Sequence, residues 1–135
     1  MACAVLVSGC YGSPASPAAN APFSQTDLRL GAGVIATNGS LMVVEYTGWL
    51  YAADKPDQKG LQFDTSAGVA PLEFTLGAGD VIRGWDVGLI GLKVGGLRRL
   101  VVPPSLAYGS VRQGPIPPNT ALVFEVELVE IKEPQ

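Results

Sequence analysis

Residues 79–89 read GDVIRGWDVGL and are predicted to form a short helix that the rest of the chain must cover. They follow a strand-like run at 72–76, and Asp80 is predicted to cap a short helix. Trp85 and Leu89 lie one turn apart on a single face of that helix. A short helix is not stable by itself in water, so other segments must cover this face. The β-rich segments on both sides are predicted to wrap it, with the indole near the floor of an apolar cavity.

Composition narrows the classes of function. The 135 residues predict one domain with an added N-terminal segment, and a hydrophobic content of 47% allows a substantial core. With 9 basic and 12 acidic residues, the chain has a net charge of −3 and no basic stripe that could neutralise phosphates. This argues against a nucleic-acid partner. The one basic pair, Arg98–Arg99, is predicted to lie on the solvated face of a strand.

The chain has no histidine, which removes a large part of enzyme chemistry. A Ser-His-Asp or Cys-His nucleophile and a histidine-liganded metal are excluded. The two cysteines, Cys3 and Cys10, both precede the globular part, so the domain has no thiol chemistry of its own. We therefore expect no metal and no cofactor. An enzyme of this composition would work without a covalent intermediate.

The N-terminal segment, residues 1–22, is predicted to be disordered, and the domain to span residues 23–135. The segment starts with small apolar residues and continues as a stretch rich in Gly, Ser, Pro, Ala and Asn. Val7-Ser8-Gly9-Cys10 resembles a bacterial lipobox, in which the cysteine is lipidated after signal cleavage. The apolar run is short for an export signal and no Lys or Arg precedes it. An alanine-rich tail without function is the alternative.

This segment carries the prediction of where the protein resides. Ten apolar and small residues cannot span a bilayer, so no transmembrane segment is expected. A remnant of a lipoprotein signal, lipidated at Cys10, predicts an exported protein in the periplasm or anchored to a membrane by its lipid. If the tail has no function, the protein is cytoplasmic.

Alternating hydrophobicity predicts the strands. Residues 41–51 place Met42, Val44, Tyr46 and other alternate residues on one face. Further strands are predicted at 27–30, 61–64, 72–76, 95–102 and 120–131. Together these segments predict an α+β fold, a curved antiparallel β-sheet of about five strands wrapped around one short α-helix.

Aromatic and polar residues on the inward faces are the candidates for a site. They are Tyr46, Phe63, Asp64, Phe74, Trp85, Tyr108 and Phe124. Most of them have an ordinary alternative as core residues. Asp64 is the informative one, because it follows Phe63 directly where a short strand meets a loop. It is either a turn former or the polar corner of an apolar slot for a ligand.

Five segments resemble FKBP-type peptidyl-prolyl isomerases. They read VVEYTGWL at 43–50, FDTS at 63–66, VIRGW at 81–85, AYG at 107–109 and IPPNTALVFEVEL at 116–128. The resemblance runs in order from about residue 23 to residue 132, and the five segments together are highly specific. The long loop at 52–60 and the sequence Thr-Gly-Trp-Leu at 47–50 resemble those of the bacterial branch of the family.

The resemblance implies an apolar pocket that takes a proline ring. Trp85 would form its floor, and the Ile82 backbone N–H and the Tyr108 hydroxyl would bind substrate carbonyls. Asp64 would lie against Tyr46 at the polar edge, and these two residues with Tyr108 form the implied catalytic set. The implied substrate-binding set is Tyr46, Phe63, Asp64, Leu72, Phe74, Val81, Ile82, Trp85, Tyr108, Ile116 and Phe124.

The implied activity is the rotation of Xaa-Pro bonds during protein folding, by enclosure of proline and without covalent chemistry. The implied partners are proline-containing polypeptides and a rapamycin-type macrolide ligand, with no nucleic acid. Nothing in the sequence demands an oligomer, so a monomer is expected. A non-catalytic FKBP-fold module that binds proline-containing segments, as a chaperone or docking domain, is the main alternative. An unrelated β-rich surface lipoprotein is the other.

The sequence also departs from the family pattern near the expected site. Residues 67–70 carry no charge, whereas many relatives have basic residues there, so Asp64 is expected to lack a salt-bridge partner. Glu45 stands where a histidine is frequent, but it is predicted to point to the opposite face and to matter little. The loop after Tyr108 is about one residue short, so substrate choice is the property that transfers least.

Overall fold

The structure is a computed structural model and describes residues 21–132. This part of the chain forms one antiparallel sheet of six strands, one at each of the six predicted segments, and one short α-helix, so the predicted α+β fold is confirmed. The elements are β1 Ser24–Arg29, β2 Leu41–Tyr51, β3 Lys59–Thr65, β4 Leu72–Thr75, α1 Arg83–Gly88, β5 Leu97–Val102 and β6 Leu122–Lys132, with 3₁₀ turns at Pro56–Gln58 and Pro104–Leu106.

Strand β2 organises the sheet, whose strand order is β1-β5-β6-β2-β3. Along one side β2 pairs with β6 over nearly its whole length. Along the other it pairs first with β4, at Leu41–Val44, and then with β3, from Thr47 to Tyr51. Because β2 changes partner halfway, β3 and β4 both border the concave face that receives α1.

The predicted alternation along β2 is confirmed. Met42 and Val44 are fully buried in the main core, and Tyr46 packs against the same core from the same face. Gly48 lies on this face as well. A β-carbon at Gly48 would approach ring atoms of Phe63 and Phe124 to within 3 Å. The missing side chain therefore gives the two rings room to meet.

Helix α1 presents Trp85 and Leu89 to the core, as predicted, and both side chains are buried. The prediction that Asp80 caps the helix is wrong. The helix begins after Ile82, which provides no side-chain cap. Asp80 instead accepts a hydrogen bond from the Thr75 backbone N–H at 3.0 Å. It therefore secures the end of β4.

The carboxylate of Asp86 holds the turn between β4 and α1. Its two oxygens accept hydrogen bonds from the backbone N–H groups of Gly77, at 2.8 Å, and Gly79, at 3.0 Å. Both glycines have positive φ, which disfavours other residues at these positions. The turn is thus tied back to the helix that follows it, and this fixes the segment that leads into α1.

The prediction of a solvated face for Arg98–Arg99 is wrong for Arg98, which is only 6% exposed. Its Nε donates to Asp27 Oδ1 at 2.7 Å, and its Nη1 donates to the carbonyls of Gly88 and Ile90, each at 2.9 Å. Neighbouring residues of a strand point to opposite faces, so the two arginines cannot share a solvated surface. Arg98 joins β1, β5 and the end of α1.

The described residues include the last two of the predicted N-terminal segment. Ala21 is buried in a small cluster with Val101, Ala121 and Val123. The rest of the predicted disordered segment, with the lipidation candidate Cys10, lies outside the described residues. Between residues 21 and 132, no helix has the length and apolar character needed to cross a membrane.

Candidate active site

A hollow of about 170 Å³ opens beside α1, between β2, β3 and the segments around Ile82 and Tyr108. It is smaller than the cavities of about 300–1,000 Å³ that hold drug-sized ligands, so it suits one small ring better than a whole cofactor. Its lining combines apolar residues with two carboxylates and two tyrosines. The lining residues are Tyr46, Phe63, Asp64, Leu72, Asp80, Val81, Ile82, Trp85, Tyr108 and Phe124.

Aromatic rings surround the Trp85 indole. The rings of Tyr46 and Phe124 each lie 5.2 Å from it between centroids and meet it edge-on, at 79° and 87°. Phe124 in turn packs edge-on against Phe63 at 5.7 Å. Edge-to-face pairs are the preferred arrangement of aromatic rings. The packing gives the hollow a rigid apolar floor and walls.

The polar edge of the hollow is built from Tyr46 and Asp64. The Tyr46 hydroxyl donates to Asp64 Oδ2 at 2.7 Å, and the Thr65 backbone N–H donates to Oδ1 at 2.9 Å. Asp64 forms no ion pair with any of residues 21–132. Its negative charge is compensated by two neutral donors.

Two donors at the hollow have no partner within the described chain. The Ile82 backbone N–H and the Tyr108 hydroxyl form no hydrogen bond to another described residue. The buried Trp85 Nε1 is also without a partner there. Leaving donors unpaired costs free energy when they are buried, and such groups are commonly explained by a ligand or by function. A bound molecule with carbonyl oxygens could use the two donors at the rim.

The environment keeps both tyrosines protonated. Burial raises the pKa of Tyr46 well above its ordinary value, and the hydrogen bond to Asp64 and the charge of that carboxylate raise it further. Burial also raises the pKa of Tyr108, with a smaller contribution from the Asp64 charge. Both hydroxyls therefore remain hydrogen-bond donors at neutral and mildly alkaline pH. The arrangement can bind and orient neutral amide groups, but no nucleophile is activated in it.

Comparison with known proteins identifies the family. A model of the family described as FKBP-type peptidyl-prolyl cis-trans isomerase matches residues 33–129, which is more than half of the chain. The chain belongs to this family. The FKBP-type match includes β2 to β5 and β6 as far as residue 129, and it covers all the residues that line the hollow.

FKBP-type relatives occur in fungi and bacteria. The chain is 46% identical over 106 residues to FK506-binding protein 4 of Neurospora crassa, covering 78% of this chain and 21% of that protein. It is 44% identical over 109 residues to the FK506-binding protein of Neisseria meningitidis serogroup B, covering 79% of this chain and 94% of that protein. The chain thus spans about a fifth of the length of the fungal relative and nearly all of the bacterial one.

Solved FKBP structures share the fold. The crystal structure of AtFKBP13 has a TM-score of 0.70 and 33% sequence identity, covering 82% of this chain and 93% of that one. The crystal structure of FkpA from Escherichia coli has a TM-score of 0.69 and 40% identity, covering 82% of this chain and 48% of that one. A curved antiparallel sheet around one short helix is therefore the FKBP fold in this chain.

The structure brings nearly all the predicted site residues of this FKBP chain to one hollow. Phe74 and Ile116 are the exceptions, because neither lines it and both are buried in the core. The Phe74 ring lies behind the floor, 5.7 Å from the Trp85 indole. Inward-facing apolar residues look alike in a sequence, so the pattern could not separate the lining from the layer behind it.

The sequence patterns did not single out two residues at the hollow. Asp80 lines the hollow, although it was predicted only as a helix cap. Its position directly before Val81 and Ile82, both expected at the rim, was the available signal. Ser66 is buried beside Tyr46 and Asp64 and bonds to the Tyr46 backbone. A serine that opens a polar loop gives no sign of this in the sequence.

We expect the free energy of unfolding to fall as the pH rises above about 10, more steeply in wild type than in Tyr46→Phe. Unfolded tyrosine loses its proton near pH 10. Folded Tyr46 holds its proton to a higher pH. Its stabilising contribution is therefore complete below pH 10 and is lost between that pH and the raised pKa. Urea denaturation at several pH values between 8 and 11 measures this. Parallel curves for the two proteins would contradict the assignment.

Proposed function

We propose that this chain is an active peptidyl-prolyl cis-trans isomerase that acts on Xaa-Pro bonds of polypeptides. The proline ring would enter the hollow and lie against the Trp85 indole. The observation that carries this proposal is the combination of an aromatic enclosure with unpaired donors at its rim, the Ile82 N–H and the Tyr108 hydroxyl. Membership in the FKBP-type family supports it independently.

The reaction suits a site without a nucleophile. Rotation about a peptide bond meets a barrier of about 18–20 kcal/mol, because twisting destroys the amide resonance. For Xaa-Pro bonds both isomers are populated, and they exchange in tens to hundreds of seconds without a catalyst. An apolar enclosure disfavours the planar, more dipolar amide relative to the twisted one. An acceleration of about a million-fold would need roughly 8 kcal/mol of such preference for the transition state.

The polar residues would orient the substrate within this enclosure. The Ile82 N–H and the Tyr108 hydroxyl each offer a hydrogen bond to a substrate carbonyl, which fixes the chain on the two sides of the proline. The Asp64 carboxylate holds the Tyr46 hydroxyl at 2.7 Å and so keeps that ring in place as a wall. Fixed donors cost no reorganisation when the amide turns. We therefore assign most of the acceleration to enclosure and its adjustment to Asp64, Tyr46 and Tyr108.

A protease-coupled assay on a tetrapeptide with a Leu-Pro bond tests the activity. We expect wild type to accelerate the isomerisation, and Asp64→Ala to lose activity at temperatures where it remains folded.

Several relatives are named FK506-binding proteins. We accordingly propose that a rapamycin-type macrolide places one of its rings in the same hollow, changes the tryptophan fluorescence and inhibits the reaction. Macrolide binding without any acceleration would instead support the non-catalytic module that binds proline-containing segments.

Charge in the lining predicts a preference among substrates. Asp64 and Asp80 line the hollow, and no Lys or Arg does so among the described residues. With Glu before proline, we expect kcat/KM to be about two- to fivefold lower than with Gln, since exposed charge pairs contribute about 0.2–1 kcal/mol. Lysine should raise it by a similar factor, and 0.5 M salt should shrink both differences.

Asp80→Asn and Asp54→Asn separate a local effect from one of net charge. Both remove one negative charge, but Asp54 is exposed in the loop between β2 and β3 and does not line the hollow. The Lys/Glu ratio of kcat/KM should fall in Asp80→Asn and stay at the wild-type value in Asp54→Asn. Equal ratios in all three proteins would refute the preference.

We also infer that the protein is exported and lipidated at Cys10, and that its domain is a monomer. Val7-Ser8-Gly9-Cys10 supports the first inference and an FKBP-type bacterial relative is compatible with it. Mass spectrometry of protein from its native host tests it, because a full-length chain with unmodified Cys10 would favour the cytoplasmic alternative. Light scattering after size exclusion tests the monomer.

A further inference from the structure

Ser66, the first residue after β3, forms two hydrogen bonds with the backbone of Tyr46. The side chain accepts a hydrogen bond from the Tyr46 N–H at 2.9 Å, and the Ser66 backbone N–H donates to the Tyr46 carbonyl, also at 2.9 Å. Ser66 is 5% exposed, so these bonds are shielded from water. The regular pairing of β2 with β3 has its last partners at Thr47 and Thr65. The serine hydroxyl thus takes the place of a backbone carbonyl and extends the pairing by one residue.

Glu45 determines the orientation of this hydroxyl. The Ser66 hydroxyl has two acceptors within reach, Glu45 Oε1 and the Tyr46 carbonyl at 3.4 Å, and it donates its single hydrogen to the much nearer Glu45 Oε1. A serine hydroxyl has one hydrogen and two acceptor positions, so this donation leaves an oxygen lone pair for the Tyr46 N–H. Glu45 lies on the face opposite to the hollow, as predicted, and its carboxylate reaches Ser66 beside the sheet. Glu45 was expected to matter little, so this contact with Ser66 was not predicted.

The hydrogen bonds between Ser66 and the Tyr46 backbone lie next to the polar edge of the hollow. Asp64 is two residues before Ser66 and is bonded to the Tyr46 hydroxyl and to the Thr65 N–H. The Thr65 hydroxyl also donates to the Tyr46 carbonyl at 3.2 Å. Asp64 has no cation partner within residues 21–132, and residues 67–70 are uncharged. Besides the strand pairing of Asp64 with Gly48 and its bond to the Tyr46 hydroxyl, the hydrogen bonds of Ser66 and Thr65 to the Tyr46 backbone therefore hold Asp64 against that residue.

We propose that Glu45 and Ser66 are positioning residues that set the geometry of the Asp64–Tyr46 pair. This inference rests on the proposed isomerase function and extends it to two residues that do not touch the substrate. Removing the Ser66 hydroxyl frees the Tyr46 N–H and loosens the start of the loop. Asp64 and the Tyr46 hydroxyl then sample distances other than 2.7 Å, and the wall of the hollow loses its fixed position.

A double-mutant cycle with Asp64→Asn distinguishes positioning from a general loss of stability. We expect Ser66→Ala to lower kcat/KM about fivefold to tenfold in wild type, mainly through kcat. In the Asp64→Asn background, Ser66→Ala should lower kcat/KM by less than twofold, because the pair that Ser66 positions is already altered. Equal factors in both backgrounds would show that Ser66 acts independently of Asp64 and would overturn the proposal.

Two matched comparisons complete the test. Glu45→Gln and Glu45→Leu remove the same charge, but only glutamine keeps a side-chain oxygen that can accept from Ser66. Glutamine should retain most of the activity and leucine should behave like Ser66→Ala. Ser40→Ala removes a similar bond, from the Thr37 N–H to a serine hydroxyl at 3.1 Å, in a turn outside the hollow. It should show no coupling to Asp64→Asn.

Hydrogen exchange decides the positioning role without relying on activity. The Thr65 N–H donates to Asp64 Oδ1, so its exchange reports whether this carboxylate is held in place. We expect faster exchange at Thr65 and Tyr46 in Ser66→Ala, and wild-type rates there in Ser40→Ala. An inactive wild type would refute the isomerase function alone. Unchanged Thr65 protection in Ser66→Ala would refute the positioning role alone.

Discussion

Trp85→Leu is expected to lower kcat/KM for an Xaa-Pro peptide by about 10- to 100-fold in protein that remains folded. The indole is the floor of the hollow, and two edge-on rings hold it at 5.2 Å. Contact with a buried apolar group contributes about 1.5–3 kcal/mol, and each 1.4 kcal/mol corresponds to a tenfold change in rate. Leucine stays apolar but cannot cover the same area. A large effect is therefore expected if enclosure drives the reaction.

Trp49→Leu is the matched control for this substitution. Trp49 lies on the other face of β2, in the small cluster with Val101 and Val123. The two variants lose the same side chain, but only one of them loses part of the hollow. Circular dichroism and urea unfolding establish that both proteins are folded at the assay temperature. If Trp85→Leu retained activity close to that of Trp49→Leu, enclosure by the indole would not be the mechanism.

Hydrophobic periodicity predicts most of this fold. The β2 pattern is long and regular, so its bounds were predicted at 41–51 and confirmed. Helix α1 is only six residues long, yet the position of Trp85 and Leu89 on one face could be read from spacing alone. Both predictions depend on local periodicity, which a single sequence contains. Strand ends were less certain, because bulges and turns rather than residue types decide them.

Contacts between distant segments explain what the sequence did not reveal. The Arg98 guanidinium bonds to Asp27, 71 residues away in the chain, and Ser66 bonds to Tyr46, 20 residues away. Long polar side chains can be exposed or buried at the same position of a pattern, so periodicity does not decide between the two. Gly48 shows the same limit, since its lack of a side chain matters only because Phe63 and Phe124 meet above it.

The motifs predicted the lining of the hollow better than the residues that support it. The residues that line the hollow come from short segments whose order and spacing resemble the FKBP family, and the structure gathers most of them. The residues that hold the lining in place, Ser66, Glu45 and Asp86, were not singled out for that role. Their hydrogen bonds satisfy backbone N–H groups or each other, and many residue types in many loops can do this. A sequence pattern therefore carries little information about them.

The second large effect concerns stability, and Arg98→Met is expected to lower the free energy of unfolding by about 2–4 kcal/mol. The buried guanidinium donates to Asp27 and to the carbonyls of Gly88 and Ile90. Methionine fills a similar volume but leaves these acceptors without a partner. The two carbonyls belong to the end of α1 and the residues just after it, so the helix that carries Trp85 loses its anchor to the sheet.

Arg29→Met is the matched control, because Arg29 is about half exposed and makes only a surface ion pair with Glu127 and one exposed hydrogen bond to the Gly95 carbonyl at 2.9 Å. An exposed ion pair of this kind contributes about 0–1 kcal/mol, so this variant should be nearly as stable as wild type.

Arg98→Lys adds a second comparison. A lysine ammonium is a single point donor and cannot reproduce the fork that reaches three acceptors, so it should recover little of the loss. Urea denaturation followed by tryptophan fluorescence measures all three variants. Equal losses in Arg98→Met and Arg29→Met would mean that the guanidinium is not the tie between the helix and the sheet, whereas the buried geometry requires the first loss to be several times larger.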